Sequence, residues 1–145
     1  MPFSEFLSKP YNVNHSPQIG LKSEEPNCQL LTHQLYQARI GVQIPLGMWS
    51  KEIHDDETLI FQTVTQLQFE ADIVIFGRRG DVDPRNFHLA YFTGEFDQGE
   101  PLLIHATAYE GKVVISPLSW FFTKPRYEEL KRIKRLQPHL LTAAC

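Results

Sequence analysis

From Gln68 onward the chain runs in short β-branched and aromatic stretches, each ended by a turn, and this texture limits the fold more than any other feature. Asp72-Ile73-Val74-Ile75-Phe76 is the first stretch, and Gly77-Arg78-Arg79-Gly80-Asp81 stops it. Residues 86–93 form the second, ended by Gly94, and residues 102–107 the third. Gly111 then turns the chain into Lys112-Val113-Val114-Ile115-Ser116, and residues 127–136 supply a last strand after a short break.

The first half is different. Pro2, Pro10, Pro17 and Pro26, with Asn12, Asn14, Ser16 and Gly20, rule out a long regular element over residues 1–26. A short helical turn near residues 4–7 and then an irregular loop are expected. Across residues 27–39 the apolar positions Cys28, Leu31, Leu35 and Ala38 recur at three and four, the spacing of one helix face. Asn27 is placed to cap that helix and Gly41 to end it. Residues 42–47 form an extended connector, and Ser50 is expected to cap a second helix to about Phe61, with Glu52, Asp55, Asp56 and Glu57 on its wet side. Helices first and consecutive strands after them predict an α+β fold with an antiparallel sheet. At 145 residues the chain suits one domain, residues 27–145, led by the irregular segment 1–26.

Composition narrows the function classes. With 42% hydrophobic and 21% charged residues the chain is outside the disordered and membrane classes, and no stretch approaches the roughly 20 apolar residues of a membrane helix. A formal charge of −3 gives no general affinity for nucleic acid. Lys124-Pro125-Arg126 and the run Lys131-Arg132-Ile133-Lys134-Arg135 can be read as an anionic-ligand patch, but alternation with Ile133 and Leu136 favours a solvated edge strand. No basic start leads into a sustained apolar run, so no secretory signal is read and a cytoplasmic location is expected, with delivery outside left to another route. Two cysteines, Cys28 and the terminal Cys145, cannot form a disulfide framework, which favours a reducing compartment.

Cys28 stands in the first turn of its helix, at the positive end of the macrodipole and among unpaired amides. With a histidine beside it, that setting can bring a thiol pKa from about 8.5 to about 3.5–7.5. A buried structural cysteine is the alternative. His88 shares a strand face with Ala90 and Phe92, and His105 follows in the next strand. If the two strands pair across the loop 94–101, the histidines come within neighbouring reach and supply a base and a group to orient it. His15 falls in a loop, His33 lies off the Cys28 face, and His54 and His139 are expected to be exposed. No Cys or His pair has zinc-ligand spacing, so neither metal nor cofactor is expected. Asp55-Asp56-Glu57 reads as a solvated helix face. Asp81 and Asp83, beside Arg78, Arg79 and Arg85, read as turn chemistry or as a charged lip.

The succession Asn27-Cys28-Gln29-Leu30-Leu31, Gly41-Val42-Gln43-Ile44-Pro45, Ala71-Asp72-Ile73-Val74-Ile75-Phe76, His88-Leu89-Ala90-Tyr91-Phe92-Thr93-Gly94 and Ile104-His105-Ala106-Thr107 resembles the NlpC-type cell-wall peptidases. These are a compact branch of the papain-like superfamily, and the match runs from about residue 27 to 136. The resemblance implies a nucleophile helix packed on an antiparallel sheet of about five or six strands. It implies Cys28 as nucleophile, His88 as general base and His105 as the residue that orients it. Asn27 and Tyr11 are the nearest candidates for an oxyanion or substrate-binding role. The implied reaction is thioester-mediated hydrolysis of an amide in peptidoglycan stem peptides or a related small peptide, typically next to a D-glutamyl residue. Three departures stand out: Asn27 replaces an Asp, Gln29-Leu30 replaces Ser-Gly, and Ala90 replaces a Gly.

Two other functions compete with hydrolysis. An acyltransferase would pass the thioester to an amine or lipid, with an apolar channel lined by such residues as Trp49, Trp120, Phe121 and Phe122. A binding module would keep the fold and lose the chemistry.

Overall fold

The computed structural model describes residues 3–140, so Cys145 lies outside the described residues. Helix α1, Cys28–Leu35, begins where Asn27 turns extended and its side chain accepts the Leu30 N–H at 2.8 Å. The helix widens into a π turn over Tyr36–Ile40, and Gly41 closes it in the left-handed conformation. Helix α2, Ser50–Asp55, follows. The strands are β1 Phe61–Val64, β2 Ile73–Gly77, β3 His88–Asp97, β4 Glu100–Thr107, β5 Lys112–Pro117 and β6 Glu129–Leu136, with helix α3, Leu118–Phe121, between the last two.

The six strands make one antiparallel sheet in the order β1-β6-β2-β3-β4-β5. Both faces of its centre are covered. Leu31, Leu35 and Tyr36 pack on Ile73, Ile75, Leu89, Tyr91 and Ile104, while Phe121 and Tyr127 close over Val74, Phe76, Ala90, Phe92 and Leu103. A strand buried on both sides has no use for polar alternation, which is why β2 reads Ile-Val-Ile-Phe without a break. Residues 3–26 are irregular and packed: Phe3 and Phe6 join the helix-side core, and Pro10 bridges Lys112.

Three sequence expectations change. The second helix stops at Asp55, and Phe61 starts a strand. Asp56 ends the helical path by accepting the N–H groups of Leu59, Ile60 and Phe61 at 2.7–3.0 Å. Gly94 does not end β3 either. It takes φ 84° beside a register shift, and the strand continues to Asp97 and a two-residue turn of Gln98 and Gly99, both at positive φ, the hairpin turn matched to strand twist. Finally, β6 is no edge: it pairs with β1 and β2 on its two sides. Lys134 is fully buried there, its Nζ meeting Asp56 O at 2.6 Å, Glu57 Oε2 at 2.8 Å, Thr63 Oγ1 at 2.9 Å and His54 O at 3.1 Å. Alternation marks a half-solvated strand only when no neighbour supplies oxygens for the buried cation.

Candidate active site

Cys28 is half-buried at the start of α1, and polar bonds tie its flanks to the sheet. Asn27 Nδ2 donates to Ser16 Oγ at 3.1 Å and to Gln29 Oε1 at 3.4 Å. Gln29 Nε2 donates to Ser50 Oγ at 2.9 Å, and Ser50 Oγ donates to the carbonyl of Phe87 at 2.8 Å. Asn27 and Gln29, two of the departures noted above, therefore connect the cysteine's turn to the residue just before His88. Ser50 does not cap α2; its hydroxyl is used in this chain, and the Trp49 N–H is held by Glu52 at 2.9 Å.

His88 opens β3 and His105 lies within β4. The pairing Tyr91↔Ile104, continued one step, sets small Ala90 beside His105 and puts both histidines on one face. His88 Nε2 lies 2.8 Å from His105 Nδ1, and His105 Nε2 lies 3.0 Å from Ser116 Oγ. The Tyr127 ring stacks on His88 at 4.0 Å and 15°, its hydroxyl 2.7 Å from Thr107 Oγ1. Phe121 and Trp120 close on His105 with ring centroids 4.5 and 5.2 Å away.

Cys28, His88, Asn27, Tyr11 and Tyr127 line one cleft of about 610 Å³, together with Gln29 and Trp49. Among the described residues no hydrogen bond joins the Cys28 sulfur to His88, and His88 Nδ1 has no protein partner. Such contacts in ligand-free sites commonly tighten only when substrate binds. Arg78, Asp81, Arg85 and Arg126 also line the cleft. The turn chemistry expected of this stretch is present as well: Asp83 accepts from Arg85 Nη2 at 2.8 Å, and Asp81 accepts the Asp83 N–H at 2.9 Å.

The thiol is not lowered as the helix position suggested. Burial pushes Cys28 up to about 11, against the N–H groups of Leu89, Cys28 and Gln29 that favour the thiolate. Burial pushes His88 down to about 3 and His105 well below its ordinary value, with the neighbouring His88 adding to the second shift. Near neutral pH the resting site therefore holds a thiol and two uncharged rings. Tyr11 is raised by burial and by the nearby Cys28.

The other histidines stay apart from this group. His15 Nδ1 meets Ser23 Oγ at 2.9 Å, His33 Nε2 meets Met48 O at 2.7 Å, and His139 is exposed. His54 is only partly exposed, because its ring packs edge-on against Phe87 at 5.4 Å. Among the described residues no cluster of His, Cys, Asp and Glu has a metal-holding arrangement, and no helix is long and apolar enough to cross a membrane. Trp49 lines the cleft, whereas Phe121 and Trp120 pack behind His105 and Phe122 stands edge-on to Phe76. These aromatics form no apolar channel at the sulfur.

Ser116, Tyr127 and Thr107 were not singled out from the sequence. Ser116 carried a weak signal as the polar residue ending an apolar strand. Tyr127 carried none, since only the path through α3 returns it to His88.

No family model and no curated protein matches the chain. Its structure is similar to the solved NlpC/p60 domain of the peptidoglycan hydrolase SagA, with a TM-score of 0.56, 17% identity and coverage of 91% of each chain. At that identity the likeness shows the fold, a papain-like α+β arrangement of few helices on a six-stranded antiparallel sheet.

Proposed function

We propose that the chain is a cysteine hydrolase that cleaves an amide bond, with Cys28 as nucleophile, His88 as general base and His105 orienting His88. The observation that carries this is the bond from His88 Nε2 to His105 Nδ1 at 2.8 Å, beside a cleft that Cys28 also lines. With Nε2 engaged, Nδ1 is the nitrogen left to take a proton.

As substrate enters, the thiol proton passes from Sγ to His88 Nδ1 while sulfur bonds to the carbonyl carbon. Charge developing on the carbonyl oxygen meets the backbone N–H groups at the start of α1, with the Tyr11 hydroxyl as a further donor in the cleft, whereas the Asn27 amide is spent on Ser16 and Gln29. His88 then gives the proton to the leaving amine, the C–N bond breaks, and a thioester remains. Water, deprotonated by the same ring, attacks the thioester and frees Cys28. His105 accepts from His88 Nε2–H throughout, which fixes the base in its working tautomer.

A peptide of peptidoglycan stem type is the proposed substrate. The sequence motifs and the fold shared with a peptidoglycan hydrolase domain support it. A silent binding module is the second reading, favoured by the unmade bond between Cys28 and His88 and by their neutral resting state.

Iodoacetamide labelling near neutral pH separates the two. With the resting thiol held neutral, hydrolysis requires Cys28 to label through base assistance, so that His88→Ala slows it by about 10²–10⁴-fold, the usual reach of general-base assistance. A Cys28 that stays silent while Cys145 labels would overturn the hydrolase. Mass spectrometry of murein peptides incubated with wild type and Cys28→Ala then tests the substrate.

A further inference from the structure

His105 is fully buried between two partners, His88 Nε2 at 2.8 Å and Ser116 Oγ at 3.0 Å. Ser116 pairs with Leu103 across β4 and β5, which places it diagonally from His105 on the same face, and it is itself buried. A neutral imidazole has one N–H, so this row of groups has two self-consistent hydrogen patterns. In the first, His88 donates from Nε2 to His105 Nδ1, His105 donates from Nε2 to Ser116 Oγ, and the Ser116 hydroxyl hydrogen turns away from the ring. In the second, Ser116 donates to His105 Nε2, His105 donates from Nδ1, and the His88 proton is displaced to Nδ1. Only the first leaves His88 Nδ1 free to receive the thiol proton.

We infer that Ser116 is a positioning residue of the site: its hydroxyl oxygen lets the buried His105 keep its proton on Nε2, and so holds His88 in the tautomer that can act as base. Without the hydroxyl, the first pattern leaves a buried N–H unpartnered, while the second leaves only a bare nitrogen. Orphaned buried N–H donors are the rarer and costlier of the two. Removing one oxygen therefore tips both rings at once, although Ser116 touches neither the sulfur nor the cleft. The aromatic wall of Trp120 and Phe121 on His105 makes the hydroxyl matter more, because it packs apolar rings around the ring that Ser116 serves.

This inference rests on the hydrolase reading, and its test separates the two. Long-range ¹H–¹⁵N correlation spectra of the imidazoles, recorded without substrate at pH 7.5, report which nitrogen carries each proton. The proton is expected on His105 Nε2 in the wild type and in Ser116→Thr, and on Nδ1 in Ser116→Ala. Cys28 alkylation is expected to slow about 10–100-fold in Ser116→Ala, by analogy with metal-ligating histidines that lose their outer partner, and to recover in Ser116→Thr. A wild-type proton on His105 Nδ1 overturns the role of Ser116, as does Ser116→Ala with an unchanged alkylation rate. Should Ser116→Ala fail to fold, the wild-type and Ser116→Thr spectra still decide the tautomer. A correct tautomer in a wild type whose Cys28 never alkylates overturns the hydrolase instead.

Discussion

Asn27 shows how one residue serves several neighbours. Its carbonyl oxygen takes the Leu30 N–H at 2.8 Å, while its amide nitrogen holds Ser16 and Gln29. An aspartate would keep the cap and lose both donations, so an asparagine at this position goes with Gln29 two residues on. Asn27→Ala is expected to lower stability by about 1 kcal/mol through the lost cap, measured as a shift in urea midpoint. The same change loosens the turn that carries the sulfur and should slow Cys28 alkylation by more than the stability loss explains. At this scale the sequence was informative wherever local chemistry decided the outcome: the cap at Asn27 and the cysteine beside it needed no distant partner. Ser116 and Tyr127 were invisible because their roles depend on strand register and on a loop's return path.

At the scale of elements, turn chemistry explains what could be read. Glycine and β-branched runs mark β2, β3, β4 and β5, and the alternation His88, Ala90, Phe92 puts both histidines on one face, although the turn between their strands is only Gln98 and Gly99 rather than the expected loop 94–101. Phe61-Gln62-Thr63-Val64 has strand-forming residues, but it follows closely on the helix that begins at Ser50, and its sheet neighbour, β6, lies far along the chain. β6 was misjudged because a buried lysine looks the same in sequence as a solvated one. Lys134→Met removes the cation from four oxygens that converge on it, leaving Glu57 and the His54 and Asp56 carbonyls without that donor. We expect a loss of about 1–2 kcal/mol, because the carbonyls lose their donor while the half-exposed Glu57 keeps water and Arg132, seen in denaturant midpoints, with the loop from His54 to Thr63 losing amide-exchange protection first. A variant as stable as the wild type would show that the cage adds nothing.

For the whole molecule, the buried histidines set the response to acid. His33, His88 and His105 all lie below their ordinary value in the folded chain, mainly through burial. Above about pH 6.5 neither folded nor unfolded chain protonates them. Below it the unfolded chain binds protons that the native chain refuses, so stability falls as pH falls, by up to about 1.4 kcal/mol per pH unit for each histidine. For His88 the loss continues until about pH 3, where the native ring also protonates. Urea midpoints between pH 6.5 and 5 test this, above the range where Glu57, held down to about 2 by Lys134 and Thr63, begins to lose its own contribution. A flat profile in that window would show that the rings are solvated.

The strand order carries a consequence for biosynthesis. β1 is made early and has no place in the sheet until β6 arrives to sit between it and β2. At translation rates of about 5–20 residues per second, the nascent chain spends several seconds with β2 to β5 able to pair and β2 still open along one side. During that interval Ile73, Val74 and Ile75 offer unpaired backbone to any passing strand. On the ribosome, the open side of β2 closes only when β6 emerges, well after both histidines have been made.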